Sequence, residues 1–357
     1  MQKMLFISNV FPLDGNPSRG CYVLAQAKIL REAGYEVKVI NPLPFLPPFY
    51  SLYDRNFKGV KKVNKMRIIE KIDVFHPRYF CFPGTLFPQI SQKNAKSTLK
   101  EIYKWLGGWE PDIVHLHSIH PLLNIGKKVS EKYNSKLFMT VHGWDFDIGI
   151  KNEKISQSIE EIQTEISGIC VVNKIHAKIA KKIIGKDKTH HIPCHIDIEE
   201  KYRRSVVDFD PSLKKLKILF PANPSRKEKN YPLFLMTVER LKESGWDIEI
   251  DSLKNISRNK TIQKFQWADL ILLTSKREGG PLVTKEAIFC GTRVVCTSVG
   301  DSTEWLPSNS ISKEATPESL AKSVEHALSI LPEIWKISHT FEKENVLKRL
   351  IKMYQTN

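Results

Sequence analysis

Much that would classify this chain quickly is missing from it. None of its six cysteines stands in a Cys-x-x-Cys pair, which removes the usual spacing of zinc ribbons and redox dithiols. Cys21, Cys81, Cys170, Cys194, Cys290 and Cys296 lie mostly in apolar runs such as SGICVV and AIFCG. That is the setting of reduced core thiols in a cytosolic protein, not of a disulfide framework. No apolar run approaches the roughly 20 residues that a membrane helix needs, so membrane contact is expected to be peripheral. The N-terminus, MQKMLFISNV, enters a strand pattern at once, without the charged region and long apolar core of a signal peptide. There is no internal repeat or low-complexity tract beyond two similar halves. Acidic residues are scarce: 39 Asp and Glu against 55 Lys and Arg leave a net charge of +16 and an isoelectric point near 9.4. Such a surplus suits a polyanionic partner (nucleic acid, an anionic membrane or a phosphorylated substrate) or simply a lysine-rich solvated surface. Nucleic acid fits least, because the surplus is mostly lysine and aromatic residues are not interleaved with arginine.

What is present is a regular alternation of short apolar runs and helical stretches. MLFISN (4–9) ends at turn residues, a helical pattern runs from Cys21 to Ala33 and stops at Gly34, and EVKVI (36–40) alternates like a strand. This is a β-α-β unit. NPLPFLPPFY (41–50) is too rich in proline for regular structure. RIIEKIDVF (67–75) reads as one strand and KNAKSTLKEIYKWL (93–106) as a helix. DIVHLH (112–117), KLFMTVH (136–142), GICVV (168–172) and THHIPC (189–194) read as further strands. A second series runs through KILFPAN (217–223), a helix near 232–244, DIEI (247–250), ADLILLTS (268–275), a helix from Pro281 and TRVVCTS (292–298). A helical tail follows over 333–354. The polar stretch EEKYRRSVVDFDPSLKK (199–215) separates the two series. The alternation predicts an α/β protein of two Rossmann-like domains, each with a doubly wound parallel sheet. At 357 residues the chain is long enough for two cores. Ligands of such sheets bind beyond the carboxyl ends of the strands. Two domains facing a central cleft would therefore carry their informative residues just after strands.

Those positions hold polar chemistry. In KREGGPLVTKEAIFCGTRVV (276–295), Gly279 and Gly280 precede a helix with Pro281 in its first turn, leaving N–H groups that suit phosphate or other electron-rich groups. Glu278 and Glu286 flank that start, and carboxylates only accept hydrogen bonds. A sugar nucleotide, with both hydroxyls and phosphates, satisfies the stretch; so, in isolation, does a surface turn with two solvated glutamates. PANPSRKEKNYPLF (221–234) puts Arg226 and Lys229 in one loop, as partners for a diphosphate leaving group or as a solvated basic loop. Asn230 is placed to cap the next helix, with Pro232 in its first turn. FPLDGNPSRGCYV (11–23) brings Gly15 and Gly20 to a β-α turn where backbone can approach a ligand. HLHSIHP (115–121) and TVHGWDFD (140–147) bring His117, His120, His142, Asp145 and Asp147 to one rim. Histidines so placed are most often structural, and among these five residues neither HxxxH nor HExxH spacing favours a metal.

Together these motifs resemble the retaining glycosyltransferases of family four, which have the GT-B fold. EGGPLVTKEAIFCGTRVVCTSVGD is similar to their E-x(7)-E region and SRKEKN to their diphosphate motif, in a P-S-R-x-E-K-N form. TVHGWD is similar to their H-G-x-D segment. HIPCHIDIEEKY (191–202) is similar to their hinge-side segment, with Cys194 and His195 in place of Asn-Gly. Thr292-Arg293 departs from the usual small residue and proline, and only Gly20 matches the N-terminal glycine loop. The resemblance implies that Glu286 binds the nucleotide ribose, and that His142 and Glu278 act at the reacting sugar. It implies that Arg226, Lys229 and Gly20 hold the donor diphosphate, that Gly279, Gly280 and Pro281 face the donor sugar, and that Asp145 and His117 lie on the acceptor side. The implied reaction is a metal-independent transfer, with retention, from a nucleotide-diphosphate sugar to a hydroxyl of a glycan or lipid-linked acceptor in surface polysaccharide or glycoconjugate synthesis. No cofactor beyond the co-substrate is implied, and no DxD motif stands at a strand end facing this site. Residues 1–205 then form the acceptor-side domain, 206–332 the nucleotide-sugar-binding domain and 333–357 a helix crossing back to the first. Two alternatives stay open: a nucleotide-sugar epimerase of the same architecture, which would turn over the donor alone, and a basic nucleic-acid-binding protein.

The positive surplus sits in the first half. Residues 1–205 hold 32 basic and 20 acidic side chains, and the remainder holds 23 and 19. NKIHAKIAKKIIGK (173–186) spaces Ile175, Ile179 and Ile183 helically, with Lys174, Lys178, Lys181 and Lys182 on other faces, and FKGVKKVNKMR (57–67) adds positive charge. The ordinary reading is a core-facing helix with a solvated basic side. The functional one is peripheral contact with the anionic inner face of the cytoplasmic membrane, each nearby lysine contributing about 1 kcal/mol. The expected location is cytoplasmic.

Overall fold

The computed structural model describes residues 1–45, 59–80, 93–254 and 256–356. The chain divides into two units, Met1–His195 with Lys343–Asn357, and Ile196–Glu342. The first break falls at Ile196, upstream of the boundary drawn at 206, because Ile196 and Val206 are both buried in the second unit's core. The stretch drawn as a linker is a strap on that unit. The Arg204 N–H donates to the Phe289 carbonyl at 3.0 Å, and the Arg293 guanidinium to the Val207 carbonyl at 2.9 Å. The second break falls at Glu342 instead of 332, since Trp335 and Phe341 also enter that core.

The first unit is built on eight strands: β1 (Lys3–Ser8), β2 (Glu36–Ile40), β4 (Met66–Ile69), β5 (Ile72–Phe75), β7 (Ile113–His117), β8 (Lys136–Val141), β9 (Ile166–Val171) and β10 (Thr189–His191). Their order is β10-β9-β8-β7-β1-β2-β5-β4. The short strands β3 (Leu43–Pro44) and β6 (Arg78–Tyr79) pair separately. Every pair in the large sheet is parallel except β4 with β5. RIIEKIDVF is thus two strands. Glu70 and Lys71 take φ of 51° and 61°, the geometry of a two-residue hairpin turn, and neither residue type announces it. Of the proline-rich stretch 41–50, residues 46–50 lie outside the described residues, as do Cys81 and residues 57–58 of the basic stretch.

β7 is buried along its whole length and β1 nearly so, as expected of parallel strands covered on both faces. One cover comes from helix Cys21–Glu32 together with the final helix, Lys343–Tyr354. Val23, Ala27 and Leu30 share a core with Val346, Leu350 and Met353. Each of the larger side chains contributes roughly 1.5–3 kcal/mol on burial, which holds the last helix to this unit.

The second unit carries β11 (Lys215–Phe220), β12 (Asp247–Ser252), β13 (Leu270–Leu273), β14 (Arg293–Thr297) and β15 (Ile311–Ser312), all parallel, in the order β12-β11-β13-β14-β15. In each sheet one strand marks a change of direction: β1 lies between β2 and β7, and β11 between β12 and β13. Loops leaving neighbouring strands diverge at such points and open a crevice. In the first unit they are residues 9–20 and 118–122, and in the second 221–230 and 274–281.

Candidate active site

In the second unit the two crevice loops are joined by an ion pair between Lys229 Nζ and Glu278 Oε1, and the Ser275 hydroxyl donates to the same oxygen at 2.6 Å. The Lys229 and Glu278 side chains are only 11% and 13% exposed. Backbone contacts hold the loops in register. The Thr274 hydroxyl donates to the carbonyls of Lys229 and Asn230 at 3.1 and 3.0 Å, and the Lys276 N–H to the Glu228 carbonyl at 2.9 Å. Asn230 occupies the cap position of helix Tyr231–Glu243, but its side chain makes no cap bond. Its contribution is the left-handed backbone, φ 55°, that turns the chain into the helix, with Pro232 in the first turn as expected. Arg226 does not join this pair. Its Nε and Nη2 meet Glu228 Oε1 at 2.7 and 2.6 Å, and its side chain is half exposed.

Pro281 caps helix Leu282–Phe289, one position before the first turn where the sequence put it, and Gly279 and Gly280 lead into it. The following V-G-D segment backs this turn. Gly300 has φ 59°, and a Cβ there would lie 2.9 Å from the Gly279 carbonyl oxygen and 3.0 Å from Pro281 Cδ. Beneath Gly280 lies a buried ion pair, Lys285 Nζ to Asp301 Oδ2 at 2.6 Å. A Cβ on Gly280 would come within 3.3 Å of that same carboxylate oxygen.

Glu286 lies on the helix that leaves this turn and is nearly buried. Both its oxygens are taken by Arg258, Nη1 to Oε2 at 2.9 Å and Nη2 to Oε1 at 2.6 Å. Sequence reading missed Arg258, which opens the helix after β12 but belongs to no motif. It also missed Lys285, since a lysine inside a helix reads as solvent-facing.

In the first unit, Gly20 has φ 64°, and a Cβ there would sit 2.6 Å from both the Val10 carbonyl carbon and its oxygen. Its residue type is therefore set by the approach of its own chain. Arg19, beside it, is held by the carbonyls of Asn9 and Phe11, and burial draws its guanidinium down to about 10. Asp145 ties the loops after β7 and β8 together. Its oxygens accept the N–H groups of Ile119 and His142, both at 2.9 Å, and the Ser118 hydroxyl at 3.3 Å. Burial nevertheless raises its carboxyl to about 6. Asp147 pairs with His176 Nε2 at 2.9 Å. Asp145 and Asp147 are thus both engaged within their own unit.

The imidazoles of His115, His117 and His142 form a file. His115 stacks on His117 with centroids 4.7 Å apart, and His117 on His142 at 5.8 Å, where His117 Nδ1 lies 3.5 Å from His142 Nε2. The Tyr22 ring closes the file 4.4 Å from His142. At the other end, His115 is held by the hydroxyls of Tyr354 at 2.6 Å and Thr140 at 2.8 Å. Burial pushes His115 and His142 down to about 3 and His117 well below its ordinary value, so the file is uncharged at neutral pH. His117 and Asp145, expected on the acceptor side, are both buried, and their contacts support His142.

The lysine-rich helix Lys174–Ile183 buries His176, Ala177 and Ala180, and Ile179 and Ile183 pack partly on the core. Ile175 is 60% exposed. Among the described residues no helix is long and apolar enough to cross a membrane.

The profile described as Glycosyltransferase Family 4 matches residues 20–200. The chain is 23% identical over 392 aligned residues to TuaC of Bacillus subtilis (strain 168), provisionally named as a teichuronic acid biosynthesis glycosyltransferase; the match covers 99% of this chain and 98% of that protein. Sucrose-phosphate synthase from Thermosynechococcus elongatus is similar in structure, with a TM-score of 0.67 at 14% identity over 99% of this chain and 95% of that one. Anabaena HepE, solved in complex with UDP and glucose, gives 0.66 at 12% identity over 100% of both chains. These likenesses agree with two parallel-sheet α/β domains of the GT-B class. With more than half of its residues matched by the family profile, the chain belongs to glycosyltransferase family 4 and is a glycosyltransferase.

Proposed function

We propose that the enzyme moves a sugar from a nucleotide-diphosphate donor to a hydroxyl of a glycan or lipid-linked acceptor, with retention of configuration and without a metal. The observation that carries this reading is the pairing of Lys229 with Glu278 at the switch point of the second sheet, with the Glu286 carboxylate on the helix leaving the same loop. A cation for the diphosphate, an acceptor for sugar hydroxyls and an acceptor for ribose hydroxyls are the three contacts that such a donor requires. Without donor, Lys229 and Glu278 satisfy each other. With it, the diphosphate takes up the ammonium, sugar hydroxyls donate to the carboxylate, and the Gly279-Gly280-Pro281 turn faces the sugar. Arg226 adds a second cation by leaving Glu228, and the backbone at Gly20 borders the diphosphate.

In the transfer step the bond from the anomeric carbon to the diphosphate oxygen breaks, and its electron pair stays on the diphosphate, stabilised by Lys229 and Arg226. The acceptor oxygen bonds to the same face of that carbon, and its proton passes to the departing diphosphate. His142 steadies the oxocarbenium-like centre, with His117 and Asp145 acting through it. UDP and glucose in the HepE complex support a nucleotide-sugar donor, and the name of TuaC supports an acceptor in surface polysaccharide synthesis. The basic first half and the exposed Ile175 support contact with an anionic membrane at its cytoplasmic face.

A thermal-shift screen against UDP-, GDP- and ADP-sugars tests the reading. One donor series is expected to raise the melting temperature of the wild type, with the rise abolished in Glu286→Ala and reduced in Arg226→Ala. No rise with any of them, or an undiminished rise in Glu286→Ala, contradicts it.

A further inference from the structure

Arg258 opens helix Arg258–Trp267, capped by Ser257, and its guanidinium meets both oxygens of Glu286. We propose that Arg258 is a positioning residue of the nucleotide site: it stays on Glu286 when the donor binds and presents that carboxylate to the two hydroxyls of a ribose. The inference rests on Glu286 being the ribose acceptor.

First, Glu286 is 7% exposed, and the helix around it is buried from Thr284 to Phe289. An ionised carboxylate so enclosed needs a counter-charge. Ribose hydroxyls donate hydrogen bonds but bring no charge, so they add to Arg258 and do not replace it. Second, a carboxylate has about four acceptor positions. The guanidinium fork fills one on each oxygen, which leaves one on each for a pair of vicinal hydroxyls. Third, although the Arg258 side chain is 43% exposed, its Nη2 also donates to the Asp197 carbonyl at 3.0 Å, a second anchor beside the carboxylate. The planar fork matters here, and a lysine ammonium, a single point charge, cannot reproduce it. Arg258 thereby contributes to selection of ribose over 2′-deoxyribose while touching neither.

Calorimetric titration of the full chain with UDP, GDP and ADP, and with their 2′-deoxy forms, tests this in wild type, Arg258→Met, Arg258→Lys, Glu286→Gln and the Arg258→Met/Glu286→Gln double variant. The nucleotide that binds the wild type is expected to bind Arg258→Met roughly tenfold more weakly, with little recovery in Arg258→Lys. The wild-type preference for the ribose form is expected to shrink in Arg258→Met. In the Glu286→Gln background, Arg258→Met is expected to add no further loss. If Arg258→Met will not fold, Arg258→Lys carries the same comparison, with melting temperatures recorded for both. Affinity equal to or above that of wild type overturns the inference, and so does an equal loss for ribose and deoxyribose forms that repeats in the Glu286→Gln background. Either result leaves the donor reading standing. A wild type that binds none of the three diphosphates overturns the donor reading and this inference together.

Discussion

Lys229 and Glu278 neutralise each other across two loops that leave neighbouring strands, with the Ser275 hydroxyl on the same carboxylate oxygen. Breaking a largely enclosed pair by removing one partner strands the other charge. Lys229→Met is therefore expected to destabilise the second unit by roughly 3 kcal/mol and to abolish transfer. Lys229→Met with Glu278→Gln is expected to regain most of the stability and none of the activity. Denaturant unfolding beside a transfer assay checks both. Full stability in the single variant would mean that the pair is solvated.

Gly300 makes a separate demand on the donor-side turn. Alanine there meets a φ of 59° and a carbonyl oxygen 2.9 Å away, a combined cost of about 1–3 kcal/mol. Because the atoms it meets belong to Gly279 and Pro281, Gly300→Ala is also expected to weaken binding of an intact nucleotide sugar more than binding of the bare nucleoside diphosphate. Parallel titrations with the two ligands read the difference, and equal weakening would detach Gly300 from the sugar end.

Acid should weaken the first unit. Burial holds His115 and His142 to about 3 and His76 and His120 to about 4, against an ordinary 6.5. Their folded values lie below the unfolded one, so the unfolded chain takes up protons that the fold refuses. The stability they contribute is full above pH ~6.5 and is lost as pH falls toward the folded values. At about pH 5, His115 and His142 each account for a loss of about 2 kcal/mol. Asp145 works the other way. Its carboxyl is raised from 3.8 to about 6, so its contribution is full below the unfolded value and is lost as pH rises through about 6. One carboxyl does not outweigh the several imidazoles. Melting temperatures should hold level above about pH 6.5 and fall between there and about pH 5, and a flat profile over that lower range would contradict the neutral file.

The final helix is predicted to be indispensable to the first unit. Removing Lys343 onward uncovers Val23, Leu30 and their neighbours and should leave an aggregating protein. Tyr354→Phe keeps the packing but orphans His115 Nδ1, at about 1–2 kcal/mol. A chemical-denaturation midpoint unchanged in Tyr354→Phe would contradict this role.

Strands covered on both faces were plain in the sequence as apolar runs bounded by turn residues; Glu36–Ile40 coincides with EVKVI, and the others agree within a few residues. What escaped depended on contacts made at a distance. The turn at Glu70 and Lys71 has no glycine or asparagine to mark it. The expected helix from 333 begins only at Lys343, because the residues before it carry Trp335 and Phe341 into the second core. Helix Arg258–Trp267 buries only Ile262 and Phe265, too few to show a period. The crevice loops were legible because they follow strands. Which cation meets which carboxylate was not, since Arg226 turns to Glu228 while Lys229 reaches Glu278, and only the fold brings Arg258 to Glu286.

The most direct test of the account is a crystal structure of the enzyme with the nucleotide-diphosphate sugar that it binds most tightly. The account predicts both ribose hydroxyls within hydrogen-bond distance of Glu286, the diphosphate against Lys229, and Glu278 turned to the sugar. A donor bound elsewhere, with the Lys229–Glu278 pair still closed, would contradict it.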